Sequence, residues 1–226
     1  IDRTGKIVLY AYTYPGSGFH YGRAMFKTNS NMPGSRAGYI DKTGKIVIPA
    51  TYLWGNEFAE GLACVNAENR SGFIDPDGKT VVDFKYDGCG SFSEGLASVL
   101  VNGSVGFIDK LGKMVIQPRF SWVPGAETHF SDGVAVVKVG ESEKPTDEGL
   151  RDATITSDGK ILANTSGFFG VIDKAGKFII PAKYVQLGDF HNGLALVNLG
   201  DAYIIHGDAD RWGYINKEGR IVWKSS

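Results

Sequence analysis

The chain has only two cysteines, Cys64 and Cys89, too few for the disulfide framework of a small secreted domain. Cys64 falls in a strand-like run and Cys89 in the glycine-rich turn Asp87-Gly88-Cys89-Gly90, so the sequence reads as carrying two unpaired thiols. Long apolar runs are missing too. Nothing approaches the roughly 18 consecutive apolar residues of a membrane-spanning helix, so no membrane span is expected. Charge of one sign is also absent: 24 Lys and Arg balance 25 Asp and Glu, for a net charge of −1. With no basic or acidic run, the balance argues against nucleic acid or anionic membrane as the main partner. Sustained 3.6-residue periodicity is lacking, which argues against helices of ordinary length. There is no G-x-S-x-G elbow, and the four histidines (His20, His129, His191 and His206) are scattered. No catalytic residue and no cofactor is therefore assigned. An initiating Met is missing as well, since the first residue is Ile1. Removal of an upstream segment is expected, either further repeats or a targeting signal. A cleaved signal would suit a secreted or bacterial cell-envelope protein.

What the chain has in excess is glycine, 31 residues of 226, about twice the average share and suited to many tight turns. The glycines belong to two recurring phrases. The first reads GYIDKTGKIVIP from Gly38 and returns as GFIDPDGKTVV from Gly72, GFIDKLGKMVI from Gly106, GVIDKAGKFII from Gly170 and GYINKEGRIVW from Gly213. A partial copy opens the chain at Ile1. The second, F-x-x-G-x-A-x-[VF], starts at Phe19, Phe58, Phe92, Phe130 and Phe190. Self-similarity at a fixed period marks one supersecondary unit stacked many times. The step from Ile40 to Ile74 is 34 residues, and from Ile74 to Ile108 it is 34 again. The step to Ile172 is 64, which places an insertion at about 141–166 with a polar, proline-broken flank expected to be exposed and mobile. Otherwise residues 1–226 read as a single repeat domain.

Each unit holds three short β-forming runs separated by turn chemistry. In the unit from Phe92, Gly95–Val101 leads through Asn102-Gly103, a hairpin signal, into Val105–Ile108. The turn Asp109-Lys110-Leu111-Gly112 follows, then a third run that Pro118 is expected to end. In D-x-x-G the aspartate can accept hydrogen bonds from turn amides, and the glycine tolerates positive φ. The repeated Ile40, Ile74, Ile108, Ile172 and Ile215, each between a turn Gly and a turn Asp, are expected in the core. The fold class is thus all-β, built of three-stranded antiparallel units. Exposed strand edges favour a propeller-like closure of five or six blades, with an open twisted β-solenoid as the alternative.

These phrases, with Trp212-Gly213-Tyr214-Ile215 among them, resemble the WG (KWG) repeat of bacterial proteins. The resemblance spans nearly all of the chain outside the insertion. It implies a β-rich, propeller-like repeat architecture and no defined catalytic residues. The Trp of the Trp-Gly pair is kept only at Trp212. Its place is taken by Ala37, Ser71, Val105 and Phe169 elsewhere.

Candidate functional residues are few. Asp41, Asp75, Asp109 and Asp173 offer one carboxylate per turn, too few for a calcium loop, and turn capping explains them. His206, Asp208 and Asp210 have metal-ligand flavour, yet a polar hairpin tip produces the same string. Glu60, Glu94, Asp132 and Asn192 share one repeat position, and their interchange suits capping better than catalysis. Trp54 and Trp122 share one offset, two residues after Tyr52 and Phe120, with Tyr86 and Tyr184 at the Tyr52 position of other units. Trp54, Trp122, Tyr52, Tyr86 and Tyr184 are the candidate ligand-binding set, because exposed rings stack on sugars or anchor protein partners. Packing between units is their competing role. The expected function is a non-catalytic binding or scaffold module facing a protein or glycan. The alternative is a carbohydrate-active or other hydrolytic enzyme with acid residues at a central cleft.

Overall fold

The computed structural model describes residues 18–28, 34–123, 127–140, 167–199 and 212–225. The 141–149 segment and the His206, Asp208 and Asp210 cluster lie outside them. The described residues contain strands and turns and no helix, so none could form a helical membrane span. The chain divides into two compact units, Ile1–Pro118 and Arg119–Ser226.

The first compact unit holds three antiparallel meanders. The first is β1 (Arg23–Lys27), β2 (Ala37–Asp41) and β3 (Ile46–Tyr52). The second is β5 (Ala63–Ala67), β6 (Arg70–Ile74) and β7 (Thr80–Tyr86), preceded by the short β4 (Trp54–Gly55), which pairs with β5. The third repeats the plan with β8 (Gly88–Cys89) on β9 (Leu96–Val101), then β10 (Ser104–Asp109) and β11 (Met114–Ser121), whose last three residues fall in the second compact unit. The second compact unit carries β12 (Phe130–Ser131), β13 (Val134–Val139), β14 (Phe168–Asp173) and β15 (Phe178–Tyr184). It closes with β16 (Leu194–Asn198), β17 (Trp212–Asn216) and β18 (Ile221–Lys224). One meander thus corresponds to one sequence repeat, and the segment after each third strand runs on to pair with the next meander.

Turn chemistry fixes these registers. In the first phrase Asp41 Oδ1 accepts from the amides of Thr43 and Lys45 at 2.9 and 3.0 Å. Asp75, Asp109 and Asp173 do the same in their turns, and Asn216 accepts from Arg220. The second phrase turns more tightly. Glu60-Gly61, Glu94-Gly95, Asp132-Gly133 and Asn192-Gly193 all have both residues at positive φ, the signature of a two-residue type I′ hairpin.

The first phrase's glycine is a strand residue, not a turn residue as its spacing suggested. A Cβ on Gly72 would lie 2.6 Å from the Val82 carbonyl oxygen, and one on Gly106 would lie 2.7 Å from that of Ile116. The cause is a bulge in the third strand: pairing jumps from Ser71↔Tyr86 to Phe73↔Val82, and the extra residues are pressed against the glycine backbone. The same bulge corrects the reading of Pro118, which lies inside β11 rather than ending it. A bulged position needs no ladder N–H, so proline is accepted there.

The core forms where meanders stack. Ile40, Ile74, Ile108, Ile172 and Ile215 are all buried, as are Phe58, Phe92, Phe130 and Phe190. Tyr39 meets Phe58 edge-on with centroids 5.0 Å apart, and Phe73 meets Phe92 at 4.9 Å. The two cysteines are joined: Cys64 and Cys89 form a disulfide with Cα atoms 6.0 Å apart. This overturns the reading of two free thiols. The pairing of β8 with β9 carries Cys89 onto the cluster that holds Cys64.

Candidate functional site

The rings singled out by spacing belong to the links between meanders, and packing separates them. Tyr52 ends β3, half-buried, and stacks on Phe84 with centroids 6.2 Å apart. Burial pushes its hydroxyl pKa upward. Trp54 starts the link strand β4 opposite Asn66 and packs on the cluster of Cys64, Phe73 and Phe92, leaving part of the ring accessible. Tyr86 is only 4% exposed and belongs to that cluster. Tyr184 is half-buried against the cluster of Val171, Phe190 and Val197. Trp122 alone stands out, 52% exposed. Phe120, two residues earlier, is fully buried against Phe178, so the backbone beneath Trp122 is anchored while its ring is free.

Cations accompany these rings. Lys85 Nζ lies 5.4 Å above the Tyr86 ring and Lys183 Nζ 5.3 Å above that of Tyr184. Arg119 lies 5.0 Å from the Phe120 centroid. The three pairs occupy one repeat position, giving this part of three units a mixed aromatic and cationic character, whereas Thr51 precedes Tyr52 in the first.

The repeat-position carboxylates are spent on structure. Glu60 accepts from the Gly95 amide at 3.1 Å and pairs with Lys110 at 2.9 Å. Burial raises the Glu60 pKa, but hydrogen bonds from Lys110 and the Gly95 amide outweigh it, and the net shift is downward. Asp132 accepts from the Gly193 amide at 2.6 Å, and its carbonyl accepts from Lys217. Each acid therefore reaches from one meander to the turn of the next. Asp41 is likewise held below the usual carboxylate range, foremost by the Thr43 hydroxyl. No group of three or more His, Cys, Asp or Glu among the described residues could hold a metal ion.

Spacing gave no notice of one pair. Tyr214 and Trp223 face each other across β17 and β18 with centroids 6.1 Å apart, both well exposed. Their sequence positions equal those of buried residues in the other units, so only a structure distinguishes them.

The WG containing repeat family matches residues 38–70, 72–104, 106–141 and 169–203. These matches cover more than half of the chain, which belongs to that family. No curated protein matches it. Among solved structures, a protein of unknown function from Bacteroides caccae is 13% identical with a TM-score of 0.31, covering 90% of this chain and 77% of its own. PorZ, a surface component of the type-IX secretion system of Porphyromonas gingivalis, is 14% identical with a TM-score of 0.33, covering 93% of this chain and 28% of its own. The tricorn protease is 12% identical with a TM-score of 0.27, covering 92% of this chain and 20% of its own.

Proposed function

We propose that this chain is a non-catalytic binding or scaffold module that takes a protein or glycan partner on the rings of its inter-unit links. The observation carrying this reading is Trp122, 52% exposed above a buried Phe120. A large ring on rigid backbone contributes contact area at little entropic cost, which is what an aromatic anchor needs. Trp54 is the second candidate contact, through its accessible part, with Tyr52 and Tyr184 beside the links. The engagement of Glu60 and Asp132 in backbone capping supports the non-catalytic side of the reading. Stacking through one repeated contact suits blades of a propeller and turns of a solenoid alike.

The Cys64–Cys89 disulfide supports a place in an oxidising compartment, at the cell surface or in the envelope. The test is an oligosaccharide array probed with the labelled chain and with Trp122→Ala. Binding to a glycan that falls by about 30-fold in the variant, the equivalent of about 2 kcal/mol, supports the reading. The melting temperature should not change. Equal binding by both proteins, or a melt lowered by the substitution, overturns the role of Trp122.

A further inference from the structure

A row of side chains crosses each meander at the position just before the first phrase's glycine. In the second meander the row is Trp54, Asn66, Ser71 and Tyr86, each paired with the next across adjacent strands. It is closed. Asn66, Ser71 and Tyr86 are buried, and the Asn66 side-chain amide donates to the Ser71 hydroxyl at 3.0 Å. In the third meander Val105 is buried at the Ser71 position. Lys27 faces Ala37 in the first, and Asn198 faces Trp212 in the last. One has a cation without a ring, the other a ring without a cation.

The fourth meander combines the two. Its row is Ser121, Lys138, Phe169 and Tyr184, and none of the four is buried. The exposed Trp122 follows Ser121. Lys138 Nζ lies 5.7 Å from the Phe169 centroid. The Lys138 stem runs over Gly167, where a Cβ would come within 3.3 Å of its Cε. Opposed residues of antiparallel strands share a face, so Lys138, Phe169 and Tyr184 present one surface with Trp122 at its β11 end. Adjacent strands lie about 4.8 Å apart, so the row from β11 to β15 spans about 14 Å, room for several linked rings. The cation has no internal counterpart: among the described residues no carboxylate pairs with Lys138. Acids of the same compact unit are engaged elsewhere. Asp132 takes the Gly193 amide, Asp173 the amides of Ala175 and Lys177, and Asp189 lies 3.8 Å from His129.

We infer that this row is a glycan subsite selective for an acidic oligosaccharide, with a carboxylate on Lys138 and sugar faces on Trp122 and Phe169. The inference rests on the partner-binding reading and names its ligand class. Charge complementarity calls for an anion, since an unpaired ammonium makes its strongest hydrogen bonds to a carboxylate. Flat rings on either side of the cation call for a ligand with apolar faces in series, which linked sugars have. An acidic peptide would use the cation without needing the spaced rings.

Isothermal titration of the whole chain tests this, with a panel of uronate and sialylated oligosaccharides, the methyl ester of each, and polyglutamate. At least one acidic sugar should bind, with an affinity that falls about tenfold on esterification. Added salt should weaken the acid and leave the ester unchanged. Lys138→Gln should bind acid and ester alike, and Lys138→Arg should keep the preference for the acid. Phe169→Ser should weaken both forms. An unchanged thermal melt will show that Lys138→Gln folds. A ligand bound through Trp122 equally as acid and as ester overturns the inference and leaves the partner-binding reading standing. Polyglutamate bound as tightly as any sugar overturns it too, as does a panel without an acidic binder.

Discussion

Removing the Cys64–Cys89 disulfide tests how far the stacking of units depends on a covalent tie. The bridge spans 25 residues and joins β5 to the link strand β8, so it staples one repeat to the entrance of the next. Closing a loop of that separation takes about 3.5 kcal/mol of chain entropy from the unfolded state at room temperature. The sulfurs also fill space beside Phe73, Phe92 and Val99. Losing two atoms of roughly methylene size adds about 1–2 kcal/mol. Reductant alone should therefore lower stability by about 3.5 kcal/mol, and the Cys64→Ala, Cys89→Ala double variant by about 5 kcal/mol. For a unit of this size the first figure amounts to a drop in Tm of about 10 °C or more. Circular dichroism melts with and without reductant measure the first arm, and urea unfolding of the double variant measures the second. Reductant should leave the double variant unchanged. A double variant that melts with the unmodified chain would refute the reasoning, as would two titratable thiols in the unreduced, denatured protein.

Three further outcomes are expected. Ile74→Ala should cost about 2–5 kcal/mol by urea unfolding, because Ile74 is fully buried and the site is enclosed by strands on both sides. Gly72→Ala should destabilise by about 1–3 kcal/mol or more, since its methyl group would press on the Val82 carbonyl rather than on a yielding side chain. Glu60 should add acid sensitivity. Its folded pKa lies below the ordinary glutamate value of about 4.3, so its contribution is complete above that pH and is lost as pH falls through the folded value. Between neutral pH and pH values below that range, the urea midpoint of the unmodified chain should fall further than that of Glu60→Gln, and equal losses would remove Glu60 from the account.

Strand content and order were legible because turn chemistry punctuates every unit: D-x-x-G and F-x-x-G each admit one local geometry, and β-forming runs fill the gaps. The buried isoleucines followed from alternation within those runs. What stayed hidden depends on contacts between units. Cys64 and Cys89 look unrelated until pairing of β8 with β9 brings their backbones to 6.0 Å. Gly72 reads as a turn residue until the bulge opposite it is seen. Trp54 and Trp122 share an offset, yet Trp54 packs on a disulfide-bearing cluster while Trp122 projects from a buried neighbour. The Glu60 position looked like ordinary capping, and the structure adds that the capped turn belongs to the following unit.

The forward reach of Glu60 to Gly95 and Lys110, repeated by Asp132 to Gly193 and Lys217, bears on how such a gene can change. Two of the meanders thus offer the same kind of acceptor to the same turn position of the unit that follows, so recombination that exchanges those units by whole 34-residue periods would leave matched neighbours at the seam. Array length can then vary in whole steps without redesign of an interface, while the links between units are free to diverge in their rings. Trp at position 54 and Gly at position 88 are two such solutions on the same scaffold.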